Sequence, residues 1–251
     1  MQQDNSGARQ RAGWLLALTV LTALAPSGVI RAGEAATVGS RPVLVELFTS
    51  QGCSSCPPAD AVLRELGRRP DVLALGFHVD YWDSLGWADP YASPQFTARQ
   101  QRYAGQHDWQ VYTPQLVIDG QRSLVGSRRS AAEDGIVAAG KARRTAVASI
   151  VRDGAAVRVD IGKADDGSAA GEVWLISFDA ERTTAIARGE NAGRRIVYPN
   201  VVRSIRRLGD WRNAPLSLQD KLLPDEQGER LALVVQGRDG QVWAVAVTPG
   251  S

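Results

Sequence analysis

The sequence predicts an α/β unit, a mixed sheet with flanking helices, followed by a smaller antiparallel β-sandwich-like unit. Three observations point to it. Residues 43–48 and 71–79 are short, nearly continuous apolar runs of the kind buried on both faces of a sheet. Between them Ala59, Val62, Leu63 and Leu66 recur at helical spacing. Beyond residue 143 the pattern changes to short strand-like runs separated by turn pairs such as Asp153-Gly154 and Asp239-Gly240.

Taken in order, Arg9 and Arg11 precede an apolar run of twelve residues from Trp14 to Ala25, with small residues at Ala32, Gly33, Ala35 and Ala36. A basic start, a short apolar stretch and small residues near a cut make a secretory signal. Residues 1–36 are expected to be that signal, cleaved within 32–36, with no stable membrane insertion afterwards. The mature chain is then periplasmic or secreted, where disulfides persist. An uncleaved anchor reaching Ile30 is the alternative, although twelve residues fall short of the roughly 20 that span a bilayer.

Composition suits a folded protein, with 44% hydrophobic and 22% charged residues. A net charge of +2 gives no reason to expect nucleic acid or an anionic membrane surface as partner.

Residues 37–143 are expected to form the first domain. Its strand at 43–48 leads into a helix over 57–67, ended by Gly67 as a left-handed cap, and then into the strand at 71–79. Residues 80–112 hold eight of the chain's sixteen aromatic residues. They either cover the sheet edge as a satellite core or line a groove for unfolded peptide. Ser93-Pro94 marks an N-cap and first helical position, with a helix to about residue 105. A strand at 115–118 turns at Asp119-Gly120 into 123–125, and the Ser130/Glu133 capping box opens a helix to about residue 143. Residues 144–251 are expected to form the second domain, with strands near 146–151, 156–161, 172–178, 231–235 and 242–247. Residues 197–208 have an ambiguous pattern.

The chemistry centres on Cys53 and Cys56, the chain's two cysteines. Strand, tight turn, Cys-x-x-Cys, helix is the setting of a redox dithiol. A thiol attacks as thiolate, and at its ordinary pKa of about 8.5 it is mostly protonated near neutrality. Unpaired N–H groups and the positive dipole end of a helix N-terminus would stabilise the Cys53 anion. Cys53 is therefore the expected nucleophile. Cys56, one turn on, is the resolving thiol that attacks the mixed disulfide. The alternative is a structural disulfide, though closing so short a loop stabilises less than closing a long one.

This order of elements over residues 41–143 resembles thioredoxin. The resemblance puts Thr113-Pro114 where such proteins carry a cis-proline beside the active disulfide. It implies a cis bond and a Thr113 backbone that pairs with an extended substrate. It also puts Glu46 where a buried acid lies behind the cysteines, implying a proton acceptor for Cys56. The other reading of Glu46 is a strand-end side chain reaching solvent. A closer resemblance rests on Phe48–Asp60, on His78-Val79-Asp80-Tyr81-Trp82-Asp83 with Leu85-Gly86-Trp87, and on Tyr112-Thr113-Pro114-Gln115. Gly189-Glu190-Asn191 and Asn200-Val201-Val202-Arg203 extend it. These segments resemble an uncharacterised family of secreted bacterial thioredoxin-like proteins, a domain of unknown function. Pro57-Pro58 departs from ordinary thioredoxin and stiffens the first helical turn.

Weaker signals surround this centre. His78 could join Cys53 and Cys56 in a three-ligand copper or zinc site, or simply pack at a strand end. Asp80, Asp83 and Asp89 could touch a cation. Arg194, Arg195, Arg203, Arg206 and Arg207 read as a solvated face, and Asn191 and Gly193 as turn residues. The expected function is an extracytoplasmic thiol–disulfide oxidoreductase acting on protein cysteines. It would work with a redox partner protein and without a cofactor or resident metal. The alternatives are a non-catalytic thioredoxin-like binding protein with a structural disulfide, and a copper chaperone using Cys53, Cys56 and His78.

Overall fold

The computed structural model describes residues 41–141, 145–224, 226 and 230–249. The expected signal at 1–36 lies outside them. Strand β1 (Val43–Thr49) is buried throughout and its alternation divides two cores. Val43, Val45 and Leu47 meet Ala59, Val62, Leu63 and Leu66 of helix α1 (Pro57–Leu66), joined by Ala132 and Ile136 of α3 (Arg129–Lys141). Leu44 and Phe48 face the other way, toward Phe96 and Tyr103 of α2 (Pro94–His107). Strand β2 (Val72–His78) follows the same rule, with Val72 and Ala74 toward α1 and Leu73, Leu75 and Phe77 toward α2. Each large apolar side chain so buried contributes roughly 1.5–3 kcal/mol, which fixes both the register and the face of these strands.

Local signals hold with small corrections. Ser93 Oγ accepts the Gln95 N–H at 3.3 Å, capping α2. Asp119 and Gly120 take φ values of 48° and 66° between β3 (Gln115–Ile118) and β4 (Arg122–Val125). Gly67 is not left-handed: its φ is −66°, and a Cβ there would lie 3.0 Å from the Asn200 amide nitrogen. Helix α3 starts at Arg129, so Ser130 lies inside its first turn and is not its cap.

The sheet runs across the expected boundary at residue 143. Its eight strands are ordered β11-β10-β7-β8-β2-β1-β3-β4, with β7 (Gly171–Ala185), β8 (Arg195–Trp211), β10 (Arg230–Gln236) and β11 (Val242–Val247) drawn from the second half. The described residues, from 41 to 249, belong to one compact unit. The ambiguous stretch 197–208 is thus the interior of a long strand, β8. Its parallel seam with β2 is the single pair Gly76–Val201, because Pro199 lacks an N–H and Asn200 turns to a φ of 43°. The Asn200 side chain compensates, donating to the Ala74 carbonyl at 2.8 Å.

The sandwich expected after residue 143 therefore shares its inner layer with the first half. Its outer layer is a three-stranded sheet, β5 (Ala146–Asp153), β6 (Ala156–Ala164) and β9 (Leu216–Lys221), in the order β5-β6-β9. Ile150, Val157, Val159 and Ile161 pack there on Val173, Leu175, Leu231, Leu233 and Val235. Among the described residues no helix is long and apolar enough to cross a membrane.

Candidate functional site

Cys53 and Cys56 are joined in a disulfide with their Cα atoms 5.4 Å apart. The N-cap of α1 is Cys56, with Pro57 and Pro58 in the first two helical positions. Those prolines carry no N–H. The next two amides, of Ala59 and Asp60, donate to the Cys56 carbonyl at 2.8 and 3.1 Å. The first-turn donors expected to hold a Cys53 thiolate are therefore absent or committed. The helix dipole and the Ser55 hydroxyl, 3.4 Å from Cys53 Sγ, remain beside that sulfur.

Both cysteines are 0% exposed. The segment between β7 and β8 closes over the disulfide loop. Buried Asn191 donates its Nδ2 hydrogens to the carbonyls of Gln51 and Cys53, both at 2.9 Å. Glu190 Oε2 accepts the Ser54 N–H at 3.1 Å. The Gln51 side chain accepts from Trp87 Nε1 at 2.8 Å and donates to Thr184 Oγ1 at 3.1 Å. Asn191 is thus more than a turn residue, whereas Gly193 does serve the turn, with a φ of 79°.

The Thr113–Pro114 bond is cis. Thr113 Oγ1 accepts from Trp82 Nε1 at 2.8 Å, and Trp82 Cβ lies 3.0 Å from where a Cβ on Gly52 would stand. The aromatic segment therefore joins the proline loop to the cysteine loop, while its Phe96 and Tyr103 enter the core.

Glu46 needs correcting. It is fully buried, neither reaching solvent nor facing α1, since its place in β1 turns it toward α2. There Arg99 Nε donates to it at 2.5 Å, and the Tyr103 hydroxyl donates to its other oxygen. It is a core ion pair.

The buried acid on the α1 face is Asp60. Alternation puts Thr49 and His78, paired residues at the ends of β1 and β2, on that face, and Asp60 meets them from α1. Thr49 Oγ1 donates to Asp60 Oδ1 at 2.9 Å. His78 Nδ1 lies 2.6 Å from Asp89 Oδ2, and Asp89 also accepts the Gln51 and Tyr91 amides at 2.8 and 2.9 Å. Burial pushes the Asp60 carboxyl up to about 7, against the pull of the His78 charge and the Thr49 hydrogen bond. Burial works against a charged His78, but the Asp89 contact outweighs it and raises its pKa. For Asp89, burial is likewise outweighed by His78 and the two amides, leaving its pKa lowered. Both shifts favour the imidazolium–carboxylate form of the pair.

Other candidates have structural work. His78 is turned to Asp89, and among the described residues no three His, Cys, Asp or Glu side chains are grouped to hold a metal. Asp80 accepts from the Thr97 hydroxyl and Asp83 from the Asp89 amide. Arg206 pairs with Asp220 and Glu226, and Arg207 with Glu172 and Asp210. A cavity of about 590 Å³ is lined by Glu172, Asp210, Arg212 and Trp243 among others, and by none of the disulfide's neighbours.

The family model described as "Protein of unknown function (DUF1223)" matches residues 44–236. The chain belongs to the DUF1223 family. An X-ray structure of a protein from Agrobacterium tumefaciens is similar to this DUF1223 chain at 29% identity and a TM-score of 0.68, covering 84% of this chain and 94% of that one. HBP35 of Porphyromonas gingivalis is similar at 12% identity and a TM-score of 0.59, covering 83% and 75%, a likeness of fold alone. No curated protein matches the chain. The matched span includes both the cysteine loop and the segment that closes over it. Asp60 and Asn191 are the site residues that sequence patterns undervalued. Asp60 was findable as the residue one helical turn after Cys56, whereas Asn191 carried no local signal for its contact.

Proposed function

We propose that the chain is an extracytoplasmic, thioredoxin-like thiol–disulfide oxidoreductase acting on protein cysteines. The observation that carries this reading is a Cys-x-x-Cys disulfide at a strand–helix junction whose flanking residues Thr49 and Gln51 are bonded to the buried Asp60 and to the His78–Asp89 pair. A disulfide kept only for stability gains little here, about 2 kcal/mol for so short a loop in the chain-entropy model. Burying a carboxyl that must rise to about 7 costs stability. Ionisable groups with shifted pKa values concentrate at reactive sites.

In this reading a client thiolate attacks Cys53 Sγ and the Cys53–Cys56 bond breaks with its electron pair on Cys56. A second client thiol then displaces Cys53, leaving an oxidised client and a reduced Cys53/Cys56 pair. The reverse sequence reduces a client disulfide, and a redox partner restores the starting state. Thr113 and cis Pro114 offer backbone for pairing with an extended client. Access requires the 189–193 segment to lift, a local opening of the kind that binding loops undergo. The location rests on the secretory pattern of residues 1–36.

Insulin reduction or refolding of a reduced client tests the reading. Wild type is expected to be active and Cys53→Ser inactive, with Cys56→Ser trapping clients as reductant-sensitive mixed disulfides. Equal activity of wild type and Cys53→Ser would sink it. The complete burial of both cysteines favours a second reading, a binding protein whose disulfide is structural. That reading expects no exchange even after Asn191 is removed.

A further inference from the structure

Two segments far apart in the chain border the disulfide loop and the proline loop beside it. One is the tip of the β7–β8 ribbon, whose Glu190 and Asn191 bond to Ser54, Gln51 and Cys53. The other is the turn into α3, where the Gly126 N–H donates to the carbonyl of cis Pro114 at 2.9 Å. A Cβ on Gly126 would stand 3.0 Å from Ala59 Cβ, so this turn also packs on the first turn of α1.

Both segments carry arginine. Ile186 bonds through its N–H to Arg194 and through its carbonyl to Gly193, and Ala185 pairs with Arg195, which fixes Arg188, Arg194 and Arg195 at the ribbon tip. Arg128 stands in the turn into α3. All four are exposed, and among the described residues their guanidinium groups have no ion pair or hydrogen bond. The acids close by are committed, since Glu190 accepts the Ser54 N–H and Glu65 pairs with Arg129. Glu181, an exposed acid of β7, lies an odd number of residues from Thr184, which touches Gln51, and so faces the other side of that strand. The whole chain carries only +2, so these unpaired cations make a local positive field beside one loop.

Resting on the exchange reading, we infer that the clients are acidic: their reacting cysteines are flanked by Asp or Glu, whose carboxylates meet Arg128, Arg188, Arg194 and Arg195. Guanidinium and carboxylate match as planar forks, so the contact orients the client as well as attracting it. Exposed pairs of this kind add little to final affinity, and their effect falls mainly on the rate of encounter. The covalent step is the one already given. A client thiolate bonds to Cys53 Sγ, and the Cys53–Cys56 bond breaks with its electron pair on Cys56 Sγ. The arginines act before that step, by raising the frequency with which an anionic segment reaches the loop.

The test gives the oxidised full chain three short peptides, with one cysteine flanked by Asp, by Ser or by Lys. Alkylation and mass spectrometry follow the release of Cys56, and each rate is divided by the peptide's thiolate fraction, because flanking charge also shifts the peptide's own thiol. At about 10 mM salt the Asp peptide is expected to react about tenfold faster than the Lys peptide, and at about 1 M salt less than about twofold faster. The triple variant Arg188→Gln, Arg194→Gln, Arg195→Gln should bring that ratio close to one. Should it not fold, Arg128→Gln alone should lower the ratio by about twofold. A ratio near one in wild type, or the same ratio in wild type and in the folded variant, would overturn the acidic clients, and exchange with the Ser peptide would leave the oxidoreductase reading standing. If no peptide reacts even with Asn191→Ala, the exchange reading fails and takes this inference with it.

Discussion

Asn191 donates its side-chain amide to the Cys53 carbonyl at 2.9 Å from 138 positions further along the chain, and its exposure is 1%. A residue from the second half of the sequence therefore ties down the disulfide loop of the first half.

Replacing that amide tests the closure. Asn191→Ala removes two buried hydrogen bonds, and each is worth roughly 0.5–1.5 kcal/mol net. Reduction of the Cys53–Cys56 bond by dithiothreitol is expected to quicken about five- to hundredfold if lifting of the 189–193 segment precedes attack. Quenching with an alkylating reagent and counting labels by mass spectrometry gives the rate. An unchanged rate would mean that the disulfide is reached by another route.

Asp60 makes stability depend on pH with a definite sign. Its folded pKa, about 7, lies above the unfolded carboxylate value near 3.9, so the folded state binds the proton more tightly. The associated stability is complete below about pH 4 and is lost as pH rises through 7. Asp60→Asn stays neutral, so it is expected to stabilise by up to about 4 kcal/mol at pH 8 and by almost nothing at pH 4. Urea unfolding at both pH values checks this. Equal gains at the two would show that Asp60 is not the titrating group.

Glu46→Gln separates the core acid from the site. Breaking its pair with Arg99 leaves a buried cation uncompensated, at a cost of roughly 3–5 kcal/mol. The pH profile of thiol reactivity in the folded protein is expected to match wild type within about twofold. A shifted profile would return Glu46 to the chemistry.

The His78–Asp89 pair should behave as a coupled unit. His78 has a raised folded pKa, so its contribution is complete below about 6.5 and lost as pH rises through the folded value. Asp89 has a lowered one, so its contribution is complete above about 3.9 and lost as pH falls through the folded value. A double-mutant cycle with His78→Leu and Asp89→Asn at pH 5.5 is expected to give a coupling of about 2 kcal/mol, shrinking at strongly alkaline pH. Coupling below about 0.5 kcal/mol at pH 5.5 would contradict the ion pair.

Features with short-range causes were legible in the sequence. The apolar runs at 43–48 and 71–79, the helical spacing after Cys56, the Ser93 cap and the Asp119-Gly120 turn each act within a few residues. The sequence by itself determined the strand–cysteine–helix junction and most strands that follow it. Tertiary structure decided which acid lies at that junction. Strand parity turns Glu46 toward Arg99 on α2 and brings Thr49 and His78 to Asp60 instead. It also decided that β8 would lie beside β2 and merge two expected units into one sheet, and that Asn191 would reach Cys53. The physical reason is range: periodicity and capping are local energies written in adjacent residues. Which strand edges meet depends on burying whole faces, and only the assembled sheet brings a side chain 138 positions away to the disulfide.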